Sequence, residues 1–237
     1  ESASLQKDVA ENLRDPGKQW FGLSARARSI FYNPTLVKPE DLSTYQALAD
    51  EKWYGKLCLR TSKKVYNQSL IAMLIATNGE EATEKMVRGW VNNLATEPFP
   101  DDTKLLEAIA AGQCEVGIAN TYYFGRLQKT KPDIAVKVFW PNQGEAQDGV
   151  HVNIAGAGVT AHAHHREEAI KLLEWMASAA AQNLFADSNM EYPVNWAVKP
   201  AAEVSAWGDF RPSATNISKA GGSQAQAVQL MDRAGYQ

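Results

Sequence analysis

Two cysteines and two tyrosines recur at the same spacing in this chain of 237 residues. Cys58 and Cys114 are separated by 56 residues, and so are Tyr66 and Tyr122. Each cysteine lies near the start of an expected strand, and each tyrosine lies just past its end. If the two strands are parallel and in register, the two cysteines lie close together. The phenols of Tyr66, Tyr122 and Tyr123 then lie together at the carboxyl edge of the sheet. Open α/β sheets bind their ligands at that edge.

A cluster of three phenols favours one kind of chemistry. A phenol has a pKa near ~10, so it is a poor acid or base at neutral pH. A hard, highly charged cation changes this, because it displaces the proton and binds the anionic oxygen. Tyrosinate is a ligand of ferric iron, whereas softer divalent ions prefer histidine or cysteine. Ordinary aromatic packing of Tyr122 and Tyr123 is the alternative interpretation.

The local structure around the tyrosine pair has to allow the two side chains to converge. Neighbouring side chains on a strand point to opposite faces. Tyr122 and Tyr123 therefore converge only where the strand has given way to a turn, for which Asn120-Thr121 has suitable residues.

The cysteine pair has two interpretations. In an oxidising compartment Cys58 and Cys114 form a disulfide. Otherwise they are two small, buried apolar residues, since free cysteine is often buried.

Short strands alternate with helices along the chain, which predicts α/β units around mainly parallel sheets. We find no internal repeat and no Pro/Gly/Ser-rich linker. A marginal helix is expected over 1–14, and Pro39 is typical of a helix start. The expected strands are 19–32, 55–60, 114–119, 135–140 and 153–160. The remaining expected helices are 67–75, 80–94, 101–112 and 167–181.

Composition excludes several classes of protein. Apolar residues make up 45% and charged residues 22% of the chain, as in globular proteins. The net charge of −3 argues against nucleic acid as a partner, and no apolar run approaches the ~18 residues of a membrane span. Dinucleotide, phosphate-loop and serine-hydrolase motifs are absent from the sequence.

Other polar residues have simpler interpretations. The group His162, His164 and His165 is typical of a solvated loop rather than a zinc site, and His151 is given no role. Asp101-Asp102 precedes a helix, so we expect it to cap that helix.

The run Gly117–Gly125, which contains Asn120-Thr121-Tyr122-Tyr123, resembles the tyrosine-pair motif of bacterial periplasmic ferric-ion-binding proteins. These are the substrate-binding components of iron(III) ABC transporters. The segments 20–28, 60–67, 153–156 and 191–194 are also similar to that family, so the resemblance covers nearly the whole chain. Tyr66 in its context resembles the subgroup that uses three tyrosines.

The resemblance implies a ligand set. Tyr66, Tyr122 and Tyr123 match the phenolate ligands of Fe(III), and Arg26 matches the arginine that faces a synergistic anion, carbonate or bicarbonate. Arginine suits this role because its planar fork binds an oxyanion through two hydrogen bonds. Arg28 is an alternative on the same strand, and a surface charge is the simpler interpretation of Arg26. Asn120 either holds the loop or hydrogen-bonds a ligand.

The resemblance also implies a fold and a setting. It implies a type 2 periplasmic-binding-protein fold, with two α/β lobes joined by a hinge. Its amino-terminal lobe is expected to be incomplete here, because Glu1 is not a methionine and family members begin with a further stretch. The expected division is 1–28 and 153–203 for the amino-terminal lobe, and 29–152 and 204–237 for the carboxy-terminal lobe. A monomer is expected in the periplasm, or lipid-anchored outside the cell, delivering iron to an ABC permease rather than catalysing a reaction.

Two alternatives remain at the level of sequence. A binding protein of the same fold for an organic solute, such as a polyamine, thiamine or a phosphonate, would use its tyrosines for stacking. A tyrosine-dependent iron or copper enzyme would need open coordination positions and histidine ligands near the tyrosines.

Overall fold

The computed structural model describes residues 2–237, so the expectation attached to Glu1 lies outside the described residues. Its helices are α1 (Ala3–Asp8), α2 (Val65–Asn78), α3 (Glu80–Asn92), α4 (Asp102–Ala110), α5 (Thr121–Thr130), α6 (Arg166–Ala177), α7 (Ala179–Asn189), α8 (Ala202–Ser205) and α9 (Ser218–Arg233). Its strands are β1 (Phe21–Tyr32), β2 (Leu57–Cys58), β3 (Val116–Asn120), β4 (Lys137–Phe139) and β5 (Val152–Ala157). Short 3-10 turns cover Glu11–Leu13, Pro39–Asp41, Gln46–Ala49 and Glu51–Trp53.

The chain forms two compact units. Unit 1 contains the described residues up to Arg26, together with Val152–Asp209 and Asn216–Ser218. Unit 2 contains Ala27–His151, Phe210–Thr215 and Lys219–Gln237. The division of the chain into four lobe segments stays a prediction.

The sheet of unit 2 has the strand order β2-β3-β1-β4. Strand β1 is antiparallel to β3, with Arg28 opposite Asn120, and antiparallel to β4. Within the described part of this sheet, β2 and β3 form the one parallel strand pair, with Leu57 opposite Val116. The expectation of mainly parallel strands was therefore wrong. A parallel pair needs a long crossover connection, and α2, α3 and α4 provide one between β2 and β3.

Helices α2 and α4 lie where the sequence indicates, although α2 is longer and α4 shorter than the expected ranges. Helix α2 buries the run Leu70–Ile75, so it is a core helix of unit 2 rather than an amphipathic surface helix. Asp101 caps α4 by accepting a hydrogen bond of 2.9 Å from the backbone N–H of Lys104. Gly112 follows the last turn with a φ of 73°, which a residue with a Cβ adopts only under strain.

Unit 1 is built around the first half of β1, which pairs with β5, and around α6 and α7. The sequence indicated one helix over 167–181, but the chain breaks at Ser178, whose side chain caps α7. The buried side chain of Gln182 connects α7 to β1, because its Nε2 donates a hydrogen bond of 2.8 Å to the carbonyl of Leu23.

Two elements at the start of the chain are shorter than expected. Helix α1 ends at Asp8, and the helix start at Pro39 is a single 3-10 turn. Both segments are too short to be stable helices alone, since helix nucleation is costly. Among the described residues, no helix is both long enough and apolar enough to cross a membrane.

Candidate metal centre

Three phenols lie together in unit 2, at the start of two helices. Tyr66 lies in the first turn of α2, and Tyr122 and Tyr123 lie in the first turn of α5. The hydroxyl of Tyr122 donates to that of Tyr66 at 3.3 Å, and the ring centroids of Tyr122 and Tyr123 are 4.3 Å apart. The first turn of a helix carries a partial positive charge, which favours a negatively charged group there.

The tyrosine pair reaches this arrangement differently from the expectation. Strand β3 ends at Asn120 and passes directly into α5 at Thr121, so no turn separates them. Neighbouring side chains on a helix differ in direction by roughly 100°, whereas on a strand they are opposed. The helix start thus places both phenols near one another.

Cys58 and Cys114 form a disulfide with a Cα–Cα distance of 5.9 Å. The interpretation as two unpaired thiols is thereby excluded. The two strands are not in the register that the spacing suggested, because Cys58 lies opposite Gly117. Cys114 precedes β3, and a disulfide requires only that the Cα atoms approach to about 4.4–6.8 Å.

Arg60 is a residue of the cluster that the sequence analysis missed as a site residue. It is only 6% exposed, and its Nη1 lies 3.5 Å from the hydroxyl of Tyr123. Its guanidinium carbon lies 5.2 Å from the ring centroid of Tyr66 and 5.7 Å from that of Tyr123. Both distances fall within the range of a cation–π contact.

Asp102 connects Arg60 to the core of unit 2. Its Oδ1 lies 3.6 Å from Nη1 of Arg60, and its Oδ2 accepts hydrogen bonds from Arg28 at 3.1 Å and from the backbone of Asn120 at 2.9 Å. The expectation that both acidic residues cap α4 was therefore wrong for Asp102. The sequence contained one signal for this, because two aspartates stand side by side at the helix start. Asp101 alone occupies the capping position, which leaves Asp102 for another role.

Arg28 is fully buried and committed to hydrogen bonds within unit 2. It donates from Nε and Nη2 to the side-chain oxygen of Asn67, at 3.0 and 2.6 Å, and from Nη1 to that of Asn120 at 3.1 Å. It is therefore not available as an alternative anion ligand. Asn120 takes part in the same network through its Oδ1 and its backbone N–H, whereas its buried Nδ2 has no hydrogen-bond partner among the described side chains.

The surroundings raise the pKa of both Tyr122 and Arg60, for different reasons. Burial raises the pKa of Tyr122, and its hydrogen bonds with Tyr123 and Tyr66 raise it further. Burial lowers the pKa of Arg60, but the Asp102 carboxylate and the Tyr123 hydroxyl outweigh this effect and raise it overall. The cluster thus combines a Tyr122 phenol whose pKa is raised with the permanent positive charge of Arg60.

Arg26 and the four histidines complete the set of residues considered from the sequence. Arg26 is half-buried in unit 1, and its Nε has no hydrogen-bond partner among the side chains that the structure describes. His162, His164 and His165 are exposed. In the described part of the chain, no three histidine, cysteine or acidic residues group as metal ligands. His151 is buried in unit 2, with Nε2 3.3 Å from the Ser69 hydroxyl.

The sequence is similar to proteins of known name. Residues 2–210 match the family described as bacterial extracellular solute-binding protein. Iron uptake proteins A1 and A2 of Synechocystis sp. are 43% and 44% identical to the chain over 242 residues. These alignments cover all of this chain and 67% and 70% of the two relatives.

Solved structures agree with these relatives. The Trichodesmium protein IdiA (FutA), in complex with iron and citrate ligands, has a TM-score of 0.96 at 44% identity, over 100% of this chain and 76% of that one. Mannheimia haemolytica ferric iron-binding protein A in an open conformation has a TM-score of 0.94 at 34% identity, over 100% and 75%. The fold is thus the two-lobed type 2 periplasmic-binding fold that was expected. The chain belongs to the bacterial extracellular solute-binding proteins, in the group that contains the periplasmic ferric-ion-binding proteins.

Proposed function

We propose that this protein binds ferric iron through the phenolates of Tyr66, Tyr122 and Tyr123 and delivers it to an ABC permease. The observation that carries the proposal is the contact of the three phenols beside one buried arginine. The names of the relatives support the cargo, since they are iron uptake and ferric-iron-binding proteins.

The chemistry of the cluster suits a trivalent cation. Burial raises the pKa of Tyr122, so the free protein holds a neutral phenol, and a weakly charged ion gains little by displacing its proton. Fe(III) is hard and highly charged, and each phenol that it binds loses a proton. Three phenolates supply three negative charges, which balance the charge of the ion.

Further positions around the ion are assigned to an anion. We assign this anion, carbonate or bicarbonate, to Arg26, whose Nε is free of other hydrogen bonds within the described residues. A guanidinium binds such oxyanions through its planar fork and stays charged at all relevant pH values. The Trichodesmium protein, solved in complex with iron and citrate ligands, supports the proposal of an anion beside the ion.

The setting follows from the family. We assign the protein to the periplasm or the outer surface of the cell, where an oxidising environment maintains disulfides such as Cys58–Cys114. A transport role, rather than catalysis, agrees with the names of the relatives.

Visible spectroscopy tests the proposal directly. Ferric nitrilotriacetate added to the purified protein should produce a phenolate-to-iron charge-transfer band, and Tyr122→Phe should weaken it. The matched control is Tyr54→Phe, because Tyr54 is 66% exposed and lies outside the cluster. A wild-type protein without the band, or a band unchanged by Tyr122→Phe, would contradict iron binding by these phenols. The organic-solute alternative predicts no band, and the enzyme alternative predicts turnover of a substrate.

A further inference from the structure

The buried charges behind the phenols do not balance. Arg28 and Arg60 carry two positive charges, and Asp102 is the one carboxylate in their ion pairs among the described residues. Arg28 and Asp102 are fully buried, and Arg60 is nearly so. Burying an uncompensated charge is costly, so an excess positive charge at this depth favours electron-rich groups beside it, such as a phenol oxygen or the face of an aromatic ring.

Arg60 is the member of the cluster that holds the excess. Arg28 approaches Asp102 at 3.1 Å, within hydrogen-bond distance, whereas Arg60 reaches Oδ1 of the same carboxylate only at 3.6 Å. Neither Oδ1 of Asp102 nor Nε of Arg60 has a hydrogen-bond partner within residues 2–237. An arginine retained for stability alone would be expected to satisfy its buried donors.

Another nitrogen of the Arg60 guanidinium lies next to the phenols. Its Nη1 is 3.5 Å from the Tyr123 hydroxyl, which is the long limit for a hydrogen bond. A phenolate oxygen is a stronger acceptor than a neutral phenol, and charge-assisted hydrogen bonds are shorter and stronger. We therefore expect this long contact to shorten when the Tyr123 oxygen binds iron.

We propose that Arg60 is a positioning residue for ferric iron, whose buried guanidinium holds the rings of Tyr66 and Tyr123 in place and donates a hydrogen bond to the Tyr123 oxygen in the iron complex. This inference rests on the proposed function, because it presupposes that these phenols bind the ion. It assigns Asp102 and Arg28 the task of fixing Arg60 in place. Groups behind metal ligands commonly contribute 10- to 100-fold to metal affinity.

The test compares two arginines that both lie over a phenol ring. Arg60 is buried, whereas Arg126 is exposed, with its guanidinium carbon 5.0 Å from the ring centroid of Tyr122. Iron affinity is measured by competition with a chelator in wild type, Arg60→Gln, Arg60→Lys and Arg126→Gln, together with the position of the charge-transfer band. Thermal melting of the iron-free proteins shows which variants fold.

We expect Arg60→Gln to weaken iron binding by about 10- to 100-fold and to shift the band. Arg60→Lys keeps the charge but loses the planar fork, so its affinity should fall between wild type and Arg60→Gln. Arg126→Gln should have a smaller effect than Arg60→Gln, because an exposed charge is screened by water and salt.

Separate outcomes overturn the two proposals. If wild type shows no band, the proposed function itself fails. If wild type binds iron and Arg60→Gln has the affinity and band of Arg126→Gln, only the role of Arg60 fails. If Arg60→Gln does not fold, Arg60→Lys decides the question, and wild-type affinity with an unshifted band in a folded Arg60→Lys protein overturns the positioning role.

Discussion

Unit 2 contains two clusters of charged side chains, one beside the phenols and one on the surface. The first consists of Arg28, Asp102 and Arg60, with contacts of 3.1 and 3.6 Å. The second joins Arg88 and Arg233 to Glu80 and Glu84, with contacts of 2.7 to 2.8 Å.

Geometry alone would rank the surface cluster as the stronger one, because its contacts are shorter and its charges balance. Burial reverses this ranking. The side chain of Arg233 is 44% exposed, so water and salt screen its ion pairs, whereas those of Arg28 and Asp102 are fully buried. An imbalance of charge therefore has an energetic cost where water is excluded. In unit 2 this imbalance lies next to the phenols.

The largest expected effect comes from Asp102→Asn. This change leaves two buried guanidinium groups without a carboxylate, and breaking a buried ion pair in this way costs about 3–5 kcal/mol. Urea denaturation of the iron-free protein measures the loss. The matched control is Glu84→Gln in the surface cluster, and equal losses for the two variants would break the comparison.

The next effect is expected from His151, which lies near the buried cluster, and at neutral pH this effect is absent. Burial, aided by the positive charge of Arg28, lowers the pKa of His151 to about 3. The unfolded chain, with a histidine pKa of about 6.5, therefore takes up the proton first as the pH falls. This contribution to stability is complete above about pH 6.5 and is lost towards pH 3, at about 1.4 kcal/mol per pH unit.

Urea denaturation at a series of pH values between 7 and 4 measures this slope. His151→Asn removes the titrating group and should flatten the slope, whereas the exposed His162→Asn should retain that of wild type. Such a result would sharpen the comparison, because protonation of His151 adds a third positive charge near the two arginines. An unchanged slope in His151→Asn would argue against it.

The smallest effect is expected in the surface cluster. Arg233→Gln removes two ion pairs from the surface, yet the thermal melting temperature should change little, and 1 M NaCl should abolish the difference from wild type. A large, salt-resistant loss of stability would show that distance matters more than burial.

Much of the site and part of the fold followed from the residues themselves. Spacing and residue type pointed to Tyr66, Tyr122 and Tyr123 and to the cysteine pair, and the structure brings the phenols together and joins the cysteines. These features depend on strands and helices that local patterns indicate. Whether the phenols bind iron, with Arg26 holding an anion, remains the prediction that spectroscopy tests.

The direction of β1 and the burial of Arg28, Arg60 and Asp102 were decided only by the tertiary structure. The local sequence does not distinguish a charged residue that caps a helix from a neighbouring charged residue that is buried in the core. Asp101 caps α4, whereas Asp102 is buried. The partner of Asp102 is Arg28, 74 residues away in the sequence. The sequence by itself determined which residues could bind a ferric ion. Long-range packing decided which charges lie beside them, because water is excluded only where distant segments meet.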